Sequence, residues 1–258
     1  MSNTLKLTLV ATLFNILFEY SLRGVNAFVA RPFFIVVMFT AYFTLFAMQD
    51  ALIRRFHLRD YHLFILAFTY GVVYQCLYSG IAFVEPTFLG LNWREMLFTV
   101  VFWWGTVQSV LTFYLANRIV RRDWSEPPLS RAGWVIIVLL NLFVIFLFQR
   151  SPEIPRGQPI GYLMMVVIFA AATLVLYLTV RKRKLERRDF EPNLLMDVLS
   201  AASVLLFLYA AFFLTHDPVA MRTTTVNATS ARLISGWTVL VTFIIWGARA
   251  LRGRSHSI

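Results

Sequence analysis

The sequence predicts an all-α integral membrane protein, a bundle of about eight transmembrane helices with the N-terminus and the C-terminus cytoplasmic. Of the 258 residues, 59% are hydrophobic and only 14% are charged, whereas a soluble domain is about 45–50% apolar and about 25% charged. The apolar residues lie in continuous runs of about twenty residues, the length with which a helix crosses a bilayer. All nine prolines lie between these runs or at their edges, as expected because proline breaks a helix interior.

Eight apolar runs are predicted to be transmembrane helices, with ends placed to within about three residues. In chain order they are 5–22, which ends before Arg23; 33–52, between Pro32 and Arg54; 61–84, between Asp60 and Pro86; 97–120, between Glu95 and Arg121; 132–149, between Arg131 and Arg150; 161–180, between Pro159 and Arg181; 194–215, between Pro192 and Pro218; and 233–251, between Arg232 and Arg252. The first run is interpreted as a retained helix rather than a signal peptide, because its start holds only Lys6 and its end holds Glu19. The loops are too short for a soluble domain, so residues 1–258 are predicted to form one polytopic membrane domain.

Basic residues set the predicted orientation. With eight spans, 17 of the 24 Lys and Arg residues lie on the side of the termini and 7 lie on the other side. Short loops rich in Lys and Arg remain in the cytoplasm, which predicts a multi-pass protein of the cell (inner) membrane. The net charge of +11 does not indicate nucleic-acid binding, because the basic residues lie between apolar runs, where they meet anionic lipid headgroups.

An Arg-Asp-aromatic motif occurs three times, as RDY at 59–61, RDW at 122–124 and RDF at 188–190. All three copies lie in predicted cytoplasmic loops. The favoured interpretation is topological: Arg meets lipid phosphates, the aromatic ring lies at the interface, and Asp caps the helix that follows. A repeated two-helix unit is the alternative.

Polar residues inside the predicted spans are the candidates for a binding site. On the first helix Thr8, Thr12, Asn15 and Glu19 are spaced by four, three and four residues, so they share one face, which must contact protein or a cavity. The residues predicted to line one polar–aromatic pocket are Asn15, Glu19, Tyr74, Gln75, Tyr78, Trp104, Gln108 and Asn141. Two alternatives remain open: these groups form interhelical hydrogen bonds, and Glu19 pairs with Arg23 at i+4.

Two further patterns are interpreted as structural. Asp50 has Arg54 at i+4, which favours an ion pair at the end of the second helix. In the fourth span the small residues Gly105, Ser109, Thr112 and Ala116 form a stripe that predicts close helix packing.

The sequence contains no recognisable catalytic or metal-binding motif. Cys76 is the only cysteine, and the four histidines are scattered without the i, i+4 spacing of a helical metal site. We therefore expect no catalytic residue, metal or cofactor.

The sparse polar set among many aromatic residues predicts a membrane protein that binds or translocates a largely apolar or lipid-like small molecule. Two alternatives are a non-catalytic subunit or anchor of a larger membrane complex, and a lipid-modifying enzyme that uses Glu19. The expected partners are membrane lipids, with other membrane subunits or a second copy of the chain as further candidates.

Overall fold

The regular structure of the described residues is helical. A computed structural model describes residues 2–25, 32–126, 129–152, 154–181, 191–214 and 227–255. The helices are α1 (Asn3–Arg23), α2 (Pro32–Phe56), α3 (Asp60–Val73, continued by a π-helical turn at Tyr74–Tyr78), α4 (Trp93–Ile119), α5 (Arg131–Arg150), α6 (Pro159–Arg181), α7 (Leu194–Leu214) and α8 (Ala228–Ser255). Within these ranges no strand forms, apart from an isolated bridge between Phe88 and Leu91.

Seven of the described helices, all except α3, are long and apolar enough to cross a membrane. This confirms an all-helical protein with the make-up of a multi-pass membrane protein. α3 occupies the place of the third predicted span, but it carries Asp60, His62 and Gln75 among its apolar residues. The count of eight spans and the cytoplasmic side stay predictions.

Several predicted ends differ from the observed helix ends by four residues or more, among them that of the second span, since α2 ends at Phe56 and not at 52; two of the differences have clear local reasons. The predicted span 61–84 ends as a helix at Tyr78, because Gly80 adopts a left-handed φ of 66° before a 3-10 turn at Ile81–Phe83. The predicted span 97–120 begins at Trp93, because the Asn92 side chain caps the helix by accepting from the Glu95 amide at 3.1 Å. The eighth helix also extends further at both ends than the predicted 233–251, whereas the predicted ends of the fifth, sixth and seventh spans lie within two residues of the observed ends.

α1 and α4 form the centre of the bundle. α1 packs against α2, α4, α7 and α8, while α4 packs against α1, α3, α7 and α8. Their apolar contacts are aromatic: the Phe18 ring of α1 meets the rings of Trp103 on α4 and Phe207 on α7. α5 and α6 lie outside, where only 11% and 6% of their span residues are buried, against 67% for α1 and for α4.

π-helical segments interrupt three helices, at Tyr74–Tyr78, Phe98–Leu111 and Ala210–Leu214. Such segments are uncommon and are often found at functional sites. In α4 the Thr112 hydroxyl donates to the carbonyl of Val107, five residues earlier, at 2.8 Å. The i→i+5 hydrogen bonding changes which residues of α4 lie on the same face. The small residues predicted to form one stripe therefore contact different helices: Gly105 lies against Phe64 of α3, and Thr112 contacts α1.

Candidate functional site

Glu19 lies at the centre of a buried hydrogen-bonded group that joins three helices. Its carboxylate forms an ion pair with Arg23 and accepts a hydrogen bond from the Tyr42 hydroxyl of α2. Gln108 of α4 donates its Nε2 to the same Tyr42 oxygen at 3.2 Å. The predicted residues Glu19 and Gln108 are therefore brought together by a tyrosine that the sequence analysis did not identify, and the alternative Glu19–Arg23 pair is formed.

Aromatic rings continue from this group along α3. Tyr42 stacks on Tyr74 and Trp104, with ring centroids 6.4 and 6.1 Å away. Tyr74 lies 4.6 Å from Trp104 and stacks on Tyr78 at 4.9 Å. Three of the predicted residues thus form one continuous aromatic cluster with Tyr42.

Asn141 closes the cluster on the side of α5. Its Oδ1 accepts from the hydroxyls of Tyr78 at 2.7 Å and Tyr70 at 3.2 Å, and its Nδ2 donates to the carbonyl of Ile137 at 2.9 Å. Two tyrosines of α3 therefore satisfy the amide oxygen of Asn141. Their hydrogen bonds attach α5, a largely exposed outer helix, to the bundle.

The last two predicted residues make other contacts. Asn15 lies one turn from Glu19 and donates to Thr112 Oγ1 of α4 at 3.1 Å. Gln75 accepts from the Ser79 hydroxyl at 2.9 Å, a contact within its own helix end. Six of the eight predicted residues are thus joined through Tyr42 by hydrogen bonds or ring contacts, Asn15 adjoins them, and Gln75 bonds elsewhere.

These side chains occupy the predicted pocket themselves. Tyr42, Tyr78 and Gln108 are each 1% exposed, and Trp104 is 2% exposed. The polar contacts that these residues form are interhelical hydrogen bonds, as the alternative interpretation expected. A ligand-binding role for this polar–aromatic cluster stays a prediction.

A second buried cluster lies toward the other end of α2. Asp50 is fully buried and accepts from the Nε atoms of Arg54 at 2.6 Å and Arg122 at 2.8 Å. Arg54 also donates to the carbonyl oxygen of Asp123, and the Arg122 guanidinium lies over the Trp124 ring. The predicted Asp50–Arg54 pair is formed, but the second arginine, 72 residues away, was not predicted.

Glu126 ties the loop after α4 to the start of α1. It accepts from the amides of Asn3 at 2.6 Å and Thr4 at 2.9 Å, and from the Thr4 hydroxyl at 2.5 Å. These bonds, above all those from Thr4, lower the pKa of the Glu126 carboxyl. A carboxylate from a distant loop thus binds free N–H groups in the first turn of α1.

The Arg-Asp-aromatic copies differ from one another in structure. Asp60 lies in the first turn of α3 and forms an ion pair with Arg249 of α8. Asp123 does not cap a helix: it accepts from the amide and hydroxyl of Ser125, mainly the hydroxyl, which lowers the pKa of its carboxyl. Ser130 caps α5 instead. The copy at 188–190 lies outside the described residues, and the two described copies share a sequence but not a role.

A groove of about 640 Å³ lies between α7 and α8 and is lined almost entirely by apolar side chains. Its lining residues are Ala202, Leu205, Leu206, Arg232, Leu233, Gly236, Trp237 and Leu240. The Trp237 indole donates to Ser203 Oγ at 2.8 Å, which fixes one wall. A Cβ atom added to Gly236 would meet nothing within 4 Å, so this glycine leaves open space. None of the predicted site residues lines the groove.

The described residues contain no group of three His, Cys, Asp or Glu side chains that would hold a metal ion. His216 and His256 lie outside the described ranges. Comparison of the chain with protein-family models, with curated proteins and with solved structures found no match.

Proposed function

We propose that the protein binds a largely apolar, lipid-like molecule within the membrane, and that the groove between α7 and α8 holds it. The observation that carries this proposal is the lining of the groove, where seven of eight residues are apolar or glycine. Such a surface binds hydrocarbon, and it offers few partners to a polar solute.

The one charged lining residue favours an anionic head on this molecule. Arg232 is exposed and lies in the second turn of α8, near one end of the helix. Leu240 lies eight residues further along α8, which places it about 12 Å from Arg232 along the helix axis. An acyl chain along Leu233, Gly236 and Leu240 would bring a phosphate or carboxylate head to the guanidinium, which binds both groups well.

Filling the groove tests the proposal. The full chain is purified in mild detergent, and a diazirine-labelled anionic phospholipid is photo-crosslinked to it and located by peptide mapping. We expect crosslinks in α7 and α8 that Gly236→Leu removes. Gly247→Leu is the matched control, because Gly247 lies on the same helix with nothing within 4 Å of an added Cβ but does not line the groove.

Two results would overturn the proposal. Crosslinks spread evenly over all lipid-facing helices would show ordinary solvation by lipid. Equal loss in Gly236→Leu and Gly247→Leu would show a general effect of a larger side chain on α8. Arg232→Gln distinguishes binding of the lipid headgroup from binding of the acyl chain. It should weaken labelling by the anionic lipid and leave labelling by a zwitterionic lipid unchanged.

A specific observation supports membership in a larger complex as the second candidate. α6 has the highest hydropathy of the seven spans, 2.5, yet only 6% of its span is buried, and α5 reaches 11%. Both helices therefore present wide apolar faces that lipid or another subunit would cover. Chemical crosslinking in native membranes tests this: crosslinks from α5 and α6 to another chain would support the candidate, and their absence would oppose it.

A further inference from the structure

Buried polar atoms without hydrogen-bond partners are concentrated where α1, α2 and α4 meet. Within the described part of the chain these atoms include both amide atoms of Gln49, Oδ1 of Asn15, Oε1 of Gln108, Oγ1 of Thr8 and Nη2 of Arg54. Each of the five residues is more than nine-tenths buried, and Gln49 is only 1% exposed. Such atoms are rare in folded proteins, because each costs about 1–3 kcal/mol when it is left unbonded.

The five residues lie along a single path through the bundle. Gln108 is at the level of Glu19, since both bond to Tyr42. Asn15 is one turn further along α1 and bonds to Thr112, one turn along α4. Gln49 lies seven residues after Tyr42, about 10 Å along α2.

The path continues to the buried charges at the other end. Gln49 directly precedes Asp50 on α2. Arg54 reaches the Asp123 carbonyl and lies 3.9 Å from Glu126, which in turn binds Thr4. Thr8 is one turn after Thr4 on α1. The unbonded atoms therefore extend from the level of the Glu19–Arg23 pair to the Asp50 cluster, to which Arg54 belongs.

We infer that this path is a column of bound water molecules that runs from Glu19 to Asp50 through the α1–α2–α4 interface. A buried water makes about three hydrogen bonds and occupies sites where polar groups would otherwise be unbonded. Amide and hydroxyl groups on three facing helices supply both donors and acceptors at successive levels. Water both donates and accepts hydrogen bonds, which makes it the fitting occupant of such a mixed set of partners.

Both ends of the column lie beside partly exposed side chains. The Arg23 side chain is 19% exposed at the Glu19 end, and the Glu126 side chain, 3.9 Å from Arg54, is 22% exposed at the Asp50 end. Water therefore has access to the column from either end.

Radiolytic footprinting of the full chain in nanodiscs tests the inference, because hydroxyl radicals formed from bound water oxidise the side chains beside it. Phe46 of α2 lies between Tyr42 and Gln49 on the chain and packs against Phe113 of α4. Phe207 of α7 packs against Phe18 and is the matched control, because both phenylalanines are 0% exposed. We expect oxidation of Phe46 well above that of Phe207.

Gln49→Leu removes two of the unbonded atoms and should lower the oxidation of Phe46 toward that of Phe207. Asn15→Leu provides a second variant should Gln49→Leu fail to fold. Oxidation of Phe46 no greater than that of Phe207 in the unmodified chain would overturn the inference, and so would oxidation that both substitutions leave unchanged.

Discussion

Removing the charge of Asp50 should be among the most destabilising conservative changes in this protein. Asp50→Asn keeps the size of the side chain, but it leaves Arg54 and Arg122 beside a neutral amide. Both arginine side chains are almost fully buried, at 4% and 1% exposure, and each donates its Nε to Asp50. Removing one partner of a buried ion pair costs about 3–5 kcal/mol. Since two arginines lose the same partner, we expect a loss near the upper end of that range.

The assay is the free energy of unfolding of the full chain in one fixed detergent, compared between variants. Asp60→Asn is the matched control, because the Asp60–Arg249 pair has side chains that are 32% and 38% exposed. An exposed pair contributes about 0–1 kcal/mol. Adding Arg122→Leu to Asp50→Asn should cost less than the sum of the two single changes, because both remove one contact. A loss for Asp50→Asn as small as that for Asp60→Asn would refute the reasoning.

Two further predictions follow from contacts at the loops and on α5. The pKa of Glu126 is lowered from its ordinary value of 4.5 by its bonds to the start of α1, so the stability that it contributes is fully present above pH 4.5 and is lost as the pH falls through the lowered pKa. The protection of the Asn3 and Thr4 amides against hydrogen exchange, relative to an unstructured chain at the same pH, should fall there, and Glu126→Gln should make that protection independent of pH in that range. Asn141→Leu should lower the free energy of unfolding by about 0.6–2 kcal/mol, because the Tyr70 and Tyr78 hydroxyls lose their acceptor; an unchanged free energy of unfolding would contradict this.

The apolar helices were predictable because bilayer thickness fixes the length of an apolar run. The runs at 132–149 and 161–180 contain few polar residues, so their helices were the simplest to predict. Their ends required local detail. The cap formed by the Asn92 side chain places the start of α4 four residues before the predicted start. The left-handed φ of Gly80 stops the helical stretch of α3 before the predicted end at residue 84. Capping and left-handed residues are short signals that a count of apolar residues does not detect.

The candidate site was predictable where the partner lies one turn away along the same helix. Glu19 with Arg23 and Asp50 with Arg54 both have i, i+4 spacing, and both pairs form. Tyr42 and Arg122 escaped prediction because their partners lie on other helices. A tyrosine in an apolar run resembles a packing residue, and an arginine in a basic loop resembles a topological signal.

The polar contacts are distributed unevenly over the bundle, and this has a consequence for movement. α1, α2 and α4 are held to one another through Glu19, Tyr42 and the buried Asp50 cluster, which are expensive to separate. Among the described residues of α7 and α8, one side-chain hydrogen bond crosses the groove, from Trp237 to Ser203.

The ion pair between Asp197 of α7 and Arg118 of α4 is 36% and 40% exposed and therefore contributes little. The Tyr114 hydroxyl of α4 also donates to Asp197 at 2.7 Å, at the start of α7. Phe207 of α7 packs against Phe14 and Phe18 of α1. A lipid chain that enters the groove therefore needs to displace only apolar contacts and one hydrogen bond. Movement on ligand binding should accordingly be confined to α7 and α8, while the three-helix core with its two charged clusters keeps its geometry.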